Sequence, residues 1–232
     1  MKHLHSFAIS ERGVSQTNED NYCAETIGRY QVFAVAGGRT GKPAGREAGS
    51  IAINALRRAM TALPGDPAEA LGKAITDAEE RIGALGRTDR EHEGMGTDLS
   101  ACIIDKNLDC TILDTGDGGV YYISRGSGIM IPREIPFVAR SVRPVDRRMI
   151  SHTLGEPYIL RGDEINRVNL SDSFVVMSSA GLHDYLKKEE IGAIVTKNGE
   201  NVETSCEALK DEALKAGSER TVTVVVLHGH PA

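Results

Sequence analysis

Acidic and glycine-rich turns stand beside apolar runs at three places in this sequence. They are Asn18-Glu19-Asp20, Gly37-Gly38-Arg39-Thr40-Gly41 and Gly116-Asp117-Gly118-Gly119. Turns at strand ends are where a rigid scaffold commonly carries its binding and catalytic groups. Asp and Gly also dominate ordinary turns, because both tolerate the backbone conformations that turns require. Each turn taken alone is therefore best explained as an ordinary structural turn, and only the three together indicate a functional site.

The elements that must position these turns follow from the hydrophobic pattern. Apolar runs and alternation predict strands, and apolar residues at helical spacing predict helices. The predicted strands cover residues 3–9, 30–36, 98–104, 109–115, 120–124, 173–178 and 221–227, and the predicted helices cover 43–62, 67–85, 182–194 and 200–216. Two successive helices between groups of closely spaced strands favour an antiparallel-rich α+β fold over a doubly wound parallel sheet.

Length and composition narrow the class of protein. The chain has 232 residues, a net charge of −6 and a pI of about 5.7, so we expect one domain over residues 1–232 and neither nucleic acid nor a membrane surface as partner. No apolar stretch is as long as a membrane span or resembles a signal core. The cysteines are widely spaced, which fits reduced thiols in the cytoplasm: Cys23, Cys102, Cys110 and Cys206.

Eight short motifs occur in an order and at spacings that resemble the metal-dependent protein phosphatase family, which is protein phosphatase 2C-like and related to the stage II sporulation E phosphatases. They span residues 13 to 226: Gly13 with Asn18-Glu19-Asp20, the run 32–38, Ala44-Gly45-x-Glu47-Ala48, Gly94-Met95-Gly96-Thr97, Gly116-Asp117, Thr153-Leu154-Gly155, Ser179-Ala180-Gly181-Leu182 and Thr221-Val222-Thr223-Val224. The resemblance implies a four-layer α/β/β/α sandwich, in which two antiparallel sheets are flanked by antiparallel helix pairs.

The resemblance also implies hydrolysis of phosphoserine and phosphothreonine by two Mg²⁺ or Mn²⁺ ions that activate a water molecule. Such hard cations require a cluster of carboxylate oxygens. The matching positions that keep a family ligand are Glu19, Asp20, the Gly38 carbonyl and Asp117. Asp117 corresponds to a ligand of a third metal ion.

Three other ligand positions depart from the family pattern. Gly37 stands where an Asp bridges both metals, Ala180 replaces the Asp of a Ser-Asp-Gly-Leu turn, and Arg220 replaces the Asp before the last strand. The family usually has an Arg that binds phosphate four residues before the Glu. In this sequence that position holds Ser15, or the residue is missing. Removing three anions and adding one cation should prevent a dinuclear centre of the usual type, since the added repulsion is several kcal/mol at an effective dielectric near 20.

Two readings of the function follow. In the first, the domain is a pseudophosphatase without a metal cofactor, which binds a phosphoprotein or a regulatory partner. Arg220 and Arg39 would then hold an anion, or Arg220 would only neutralise leftover acids by pairing with Glu19, Asp20 or Asp117. In the second, an active and divergent phosphatase has rebuilt a Mg²⁺ or Mn²⁺ site from other acids: Asp20, Asp98, Asp114, Asp117 or Glu219.

Other features suggest lesser roles. Segment 125–150 corresponds to a variable flap in the family, and its six arginines could meet an acidic partner: Arg125, Arg133, Arg140, Arg143, Arg147 and Arg148. His3 and His5 share one face of a strand, which could suit a metal. His152 could act as an acid near a phosphate, and His183 with Glu19 could bind a transition metal. Cys102 and Cys110 lie in apolar strand runs and are predicted core thiols.

Overall fold

Ten strands and five helices make up the described part of the chain. The computed structural model describes residues 3–14, 17–38, 43–63, 65–88, 90–116, 119–124, 128–130, 153–155 and 165–230. The strands are β1 (His3–Glu11), β2 (Asn21–Ile27), β3 (Tyr30–Gly38), β4 (Thr97–Ile104), β5 (Asp109–Asp114), β6 (Val120–Ser124), β7 (Gly128–Met130), β8 (Ile165–Asn169), β9 (Ser173–Ser178) and β10 (Val222–His230). The helices are α1 (Gly45–Ala62), α2 (Pro67–Gly86), α3 (Ala180–His183), α4 (Lys188–Asn198) and α5 (Val202–Lys215).

The strands form two five-stranded antiparallel sheets that pack face to face. The first sheet has the order β1-β10-β9-β6-β7 and the second has the order β2-β3-β4-β5-β8. A core of Val, Leu, Ile, Met, Phe and Cys side chains fills the space between them, including Phe33, Ile112 and Leu227. Cys102 and Cys110 belong to this core and are buried. The predicted α+β class with two antiparallel sheets is confirmed.

Each sheet carries a layer of helices on its outer face. Helices α1 and α2 pack against each other on the outer face of the second sheet, and alanines such as Ala48, Ala52 and Ala74 are buried there. Helices α4 and α5 pack on the first sheet around Ile191 and Leu209. The layers therefore follow the order helix, sheet, sheet, helix, as the resemblance implied. The described residues contain no helix that is long and apolar enough to span a membrane.

Two strands and one helix boundary differ from the sequence predictions. Strands β2 and β8 were not predicted, because they lie at sheet edges and carry polar residues such as Asn21 and Asn166, which hide the apolar alternation. The predicted helix over 182–194 is two helices, α3 and α4, and α4 starts at Lys188 where the Lys187 N–H donates to Glu190 Oε2 (2.8 Å). Of segment 125–150, only Gly128–Met130 lies within the described residues.

The β9–α3 turn packs directly on the start of β10. A Cβ added to Gly181 would lie 2.0 Å from the Thr221 carbonyl oxygen, so only glycine fits there. Gly13 contacts the same short segment, because its Cβ would lie 2.6 Å from the Arg220 carbonyl oxygen, and its φ of +64° also favours glycine. These two motif glycines therefore hold the residues before β10 in place through backbone contact alone.

This packing gives a direct test of the turn. We expect Gly181→Ala to lower the free energy of unfolding by about 2–3 kcal/mol, because the added methyl must push backbone atoms apart. Urea denaturation measures the change. Gly65→Ala is the control, since nothing lies within 4 Å of its added Cβ and its φ is not positive, and it should shift the free energy by about 0.5 kcal/mol or less. A wild-type urea midpoint for Gly181→Ala would contradict the observed turn.

Candidate active-site cleft

A cavity of about 690 Å³ lies between the two sheets at one end of the sandwich. The end of β3, the start of β4 and the end of β5 line one side, and the β9–α3 turn and the residues before β10 line the other. Of the residues proposed as metal remnants or replaced ligands, Glu19, Asp20, Gly37, Gly38, Ala180 and Arg220 all lie here. The structure therefore brings together six of the eight candidate positions, while Asp117 and Arg39 lie outside the described residues.

Gly37 lies at the position from which a carboxylate would enter the cleft. A Cβ added to Gly37 would lie 3.6 Å from Asp20 Oδ1 and 3.7 Å from the Ser179 Cβ, which are ordinary contact distances. An Asp side chain therefore fits at this position. The backbone at Gly37 therefore leaves room for the carboxylate that the resemblance implies, but glycine does not supply it.

Asp98 lies directly across the β3–β4 ladder from Gly37. In the β3–β4 pair, Gly37 lies opposite Asp98. In the β4–β5 pair, Ser100, two residues after Asp98, lies opposite Asp114. Residues opposite each other in an antiparallel pair share one face of the sheet, as do residues two apart on a strand. Asp98 and Asp114 therefore point toward the same side as an Asp at position 37 would. Ser100 Oγ and the Gly116 N–H both donate to Asp114 Oδ1, at 3.1 and 3.2 Å.

Asp20, which precedes β2, is held by a chain of hydrogen bonds from β1 and β10 of the first sheet. Asn18 Nδ2 donates to Ser10 Oγ (2.9 Å), Ser10 Oγ lies 2.8 Å from Thr223 Oγ1, and Thr223 Oγ1 donates to Asp20 Oδ2 (2.7 Å). Burial raises the pKa of Asp20, and the Ser179 and Thr223 hydrogen bonds and the Arg220 charge oppose that rise. Glu19 next to it is exposed. Asp20 is thus a fixed, partly buried carboxyl group, and Glu19 is a solvated one.

Arg220 forms an ion pair with Asp184, the residue that ends α3. The sequence prediction named Glu19, Asp20 or Asp117 as partners of Arg220; Asp184 was not among them, and the Arg220 charge also acts on Asp20. Sequence reasoning missed Asp184 altogether, although its position one helical turn after Ala180 was the available signal. The pair lies on the rim of the cleft, because Asp184 is exposed and Arg220 is about one-third exposed.

The His183 ring also faces the cleft, beside Gly119. Its Nδ1 lies 3.4 Å from Ser178 Oγ and its Nε2 lies 3.9 Å from Asp184 Oδ1. Glu19 lines the same cleft. The transition-metal site suggested by the sequence for His183 and Glu19 therefore involves two residues that share this cleft.

The described residues that line the cleft are strongly acidic. Six carboxylates line it with one arginine: Glu19, Asp20, Asp98, Asp114, Asp184 and Glu219 with Arg220. Within the described ranges, no three His, Cys, Asp or Glu side chains are grouped so that they could hold a metal ion. Of the positions where the resemblance implies carboxylate ligands of two metal ions, Arg220 carries a guanidinium, Ala180 a methyl group and Gly37 no side chain.

The buried carboxyl group gives a prediction about pH. Because the pKa of Asp20 is raised, its ionised form is disfavoured in the folded state, and this penalty appears as the pH rises above the usual value for Asp. We expect Asp20→Asn to unfold at higher urea than wild type at pH 7, with the difference shrinking as the pH falls toward 4. Urea denaturation with a chelator present measures this. The control is Asp211→Asn on the exposed side of α5, and a less stable Asp20→Asn at pH 7 would contradict the prediction.

Comparisons with known proteins agree with this architecture. The family model for protein phosphatase 2C matches residues 141–222. A search of curated protein sequences finds no match. The crystal structure of the Mycobacterium tuberculosis serine/threonine phosphatase PstP/Ppp is similar at 24% identity and a TM-score of 0.75, covering 98% of this chain and 99% of that one.

Two further solved structures show the same likeness. The catalytic domain of PstP in complex with two manganese ions has 24% identity and a TM-score of 0.77, covering all of both chains. The phosphatase Stp1 from Staphylococcus aureus has 18% identity and a TM-score of 0.75, covering 97% of this chain and 95% of its own. At these identities the likeness shows the fold. The chain therefore has the fold of the protein phosphatase 2C structures, and its residues 141–222 match the model of that family.

Proposed function

We propose that this protein phosphatase 2C-like chain is a pseudophosphatase, which keeps the fold and serves binding or regulation rather than two-metal hydrolysis. The observation that carries this proposal is the Arg220–Asp184 ion pair at the cleft. A guanidinium occupies a position where the resemblance implies a carboxylate ligand, and its charge is balanced by an acid of the scaffold. The positive charge that metal ions would bring is thereby partly supplied by the protein.

Electrostatics supports the loss of the dinuclear centre. A dication 6 Å from a guanidinium meets a repulsion of about 5 kcal/mol at an effective dielectric of 20. Gly37 and Ala180 contribute no carboxylate to offset it. The remaining acids of the cleft come from other positions, chiefly Asp98 and Asp114, and are not grouped with Asp20 into a ligand set among the described residues.

Reversal of the three replacements tests the proposal. We expect wild-type protein to show no Mn²⁺-dependent hydrolysis of a phosphoserine peptide, and the triple variant Gly37→Asp, Ala180→Asp, Arg220→Asp to bind Mn²⁺ at least roughly tenfold more tightly, because three carboxylates are added and one cation is removed. Isothermal titration calorimetry and phosphate release measure the two effects.

The matched control for this reversal is Gly37→Asn, Ala180→Asn, Arg220→Asn, which has nearly the same shape without the new charges. It removes the Arg220 cation but should gain little Mn²⁺ affinity. Robust Mn²⁺-dependent turnover by the wild type, lost in Glu19→Ala, would overturn the proposal.

An active, divergent phosphatase is the second candidate, and one observation favours it. Asp98 faces the cleft directly opposite Gly37, so its carboxylate could take over from the missing one at a shifted position. If this reading holds, Asp98→Asn should reduce Mn²⁺-dependent hydrolysis by about a hundredfold or more, since one carboxylate would be the main bridge between ions. Asp211→Asn should leave hydrolysis unchanged, and equal rates for the two variants would dismiss Asp98 as a ligand.

A further inference from the structure

Four of the seven histidines lie together on one face of the first sheet, far from the cleft. The β1–β10 register pairs His3 with His230 and His5 with His228. Within each strand the two histidines are two residues apart, so all four side chains start from the same face. This face is the one covered by α5, since Phe7 and Val226 on the same alternation pack in the core under that helix. Residues that lie 223 or more positions apart in the chain are thus brought into one cluster.

His228 is the centre of this cluster. Its ring stacks on Phe174 with a centroid distance of 4.2 Å, and the rings of His5 and His230 stand edge-on to it at 6.4 and 6.0 Å. His228 is only 4% exposed, and its buried Nδ1 has no hydrogen-bond partner. A buried imidazole nitrogen without a partner is costly unless a ligand satisfies it.

Glu200 adds an outer carboxylate to the cluster. His230 Nε2 lies 2.8 Å from Glu200 Oε1, at the turn between α4 and α5. If Nε2 carries the proton and donates it to this carboxylate, the ring keeps a lone pair on Nδ1. A carboxylate behind a histidine is the arrangement that orients metal-ligating imidazoles and raises their basicity.

We propose that His5, His228 and His230, with His3 beside them, form a binding site for a divalent transition metal of the Zn²⁺ type. Imidazole nitrogens suit Zn²⁺, Ni²⁺ and Cu²⁺, whereas Mg²⁺ and Ca²⁺ prefer oxygen ligands. Three histidines leave a fourth coordination position open for water or for His3.

The rings need only a small movement to converge. Two imidazoles on one tetrahedral ion, with metal–nitrogen bonds of about 2.1 Å, place their ring centroids roughly 5–5.5 Å apart. The observed separations from His228 are larger by about 0.5–1.5 Å, and as they stand these described side chains are not grouped to hold an ion. His5 is exposed, so its side chain can rotate toward His228. His230 and its partner Glu200 are about two-fifths and three-fifths exposed, so the two side chains can shift together.

The site is separate from the cleft, because His228 lies six residues along β10 from Val222, or about 20 Å.

Titration of metal-free protein with Zn²⁺ tests the proposal. We expect one equivalent to bind at pH 7.5, and the double variant His5→Gln, His230→Gln to weaken binding at least about tenfold. Glu200→Gln, which removes only the outer carboxylate, should weaken binding by roughly tenfold as well. The substituted positions are exposed or partly exposed, so the variants should fold, and circular dichroism checks that they do.

Two controls separate this site from other sources of Zn²⁺ affinity. His92→Gln removes a histidine that pairs with Glu47 elsewhere in the fold and should leave the affinity unchanged. Asp98→Asn with Glu19→Ala removes carboxylates of the cleft and should also leave it unchanged. Absence of Zn²⁺ binding, or binding that is lost in the cleft variant and kept in the His5→Gln, His230→Gln variant, would overturn the proposal.

Discussion

The backbone contact of two glycines with the segment before β10 fixes the geometry on which the cleft depends. Gly13 approaches the Arg220 carbonyl and Gly181 approaches the Thr221 carbonyl, at distances that exclude any side chain. Ser179 adds to this contact, since its Oγ accepts from the Thr223 N–H (3.1 Å) and donates to the Thr221 carbonyl (3.2 Å). Main-chain atoms and one hydroxyl therefore fix the segment before β10 against the turns that follow β1 and β9 in the first sheet.

This constraint explains how the chain can keep the motif glycines while the residues at the implied ligand positions differ from the family pattern. The contact needs glycine at 13 and 181 but makes no use of the side chains at 180 and 220. Ala180 and Arg220 can thus stand where the resemblance implies carboxylates without disturbing the turn, and position 37 has room for a side chain that Gly37 lacks. Packing accounts for the glycine of the Ser-x-Gly-Leu motif, so the presence of this motif is an argument about the fold and not about catalysis.

Much of the fold could be predicted from sequence, because buried strands leave continuous apolar runs. Strands such as β3, β9 and β10 are of this kind, whereas the edge strands β2 and β8 bury one side only and escape detection. The location of Glu19, Asp20, Gly37 and Ala180 in one cleft followed from the resemblance. The Arg220–Asp184 pair and the His5–His228 pair did not, because each depends on which elements meet in space. Charge and residue type alone do not identify a partner 36 or 223 residues away.

The charge of the cleft also decides between the two versions of the pseudophosphatase. A phosphate group about 6 Å from a carboxylate meets a repulsion of about 3 kcal/mol per pair of unit charges at an effective dielectric of 20. Six carboxylates line the described part of the cleft, and Arg220, its one arginine there, is already paired with Asp184. In a metal-dependent phosphatase the cations overcome this repulsion. Here the arrangement favours Arg220 as a charge that stabilises neighbouring acids over Arg220 as the grip for a phosphorylated partner.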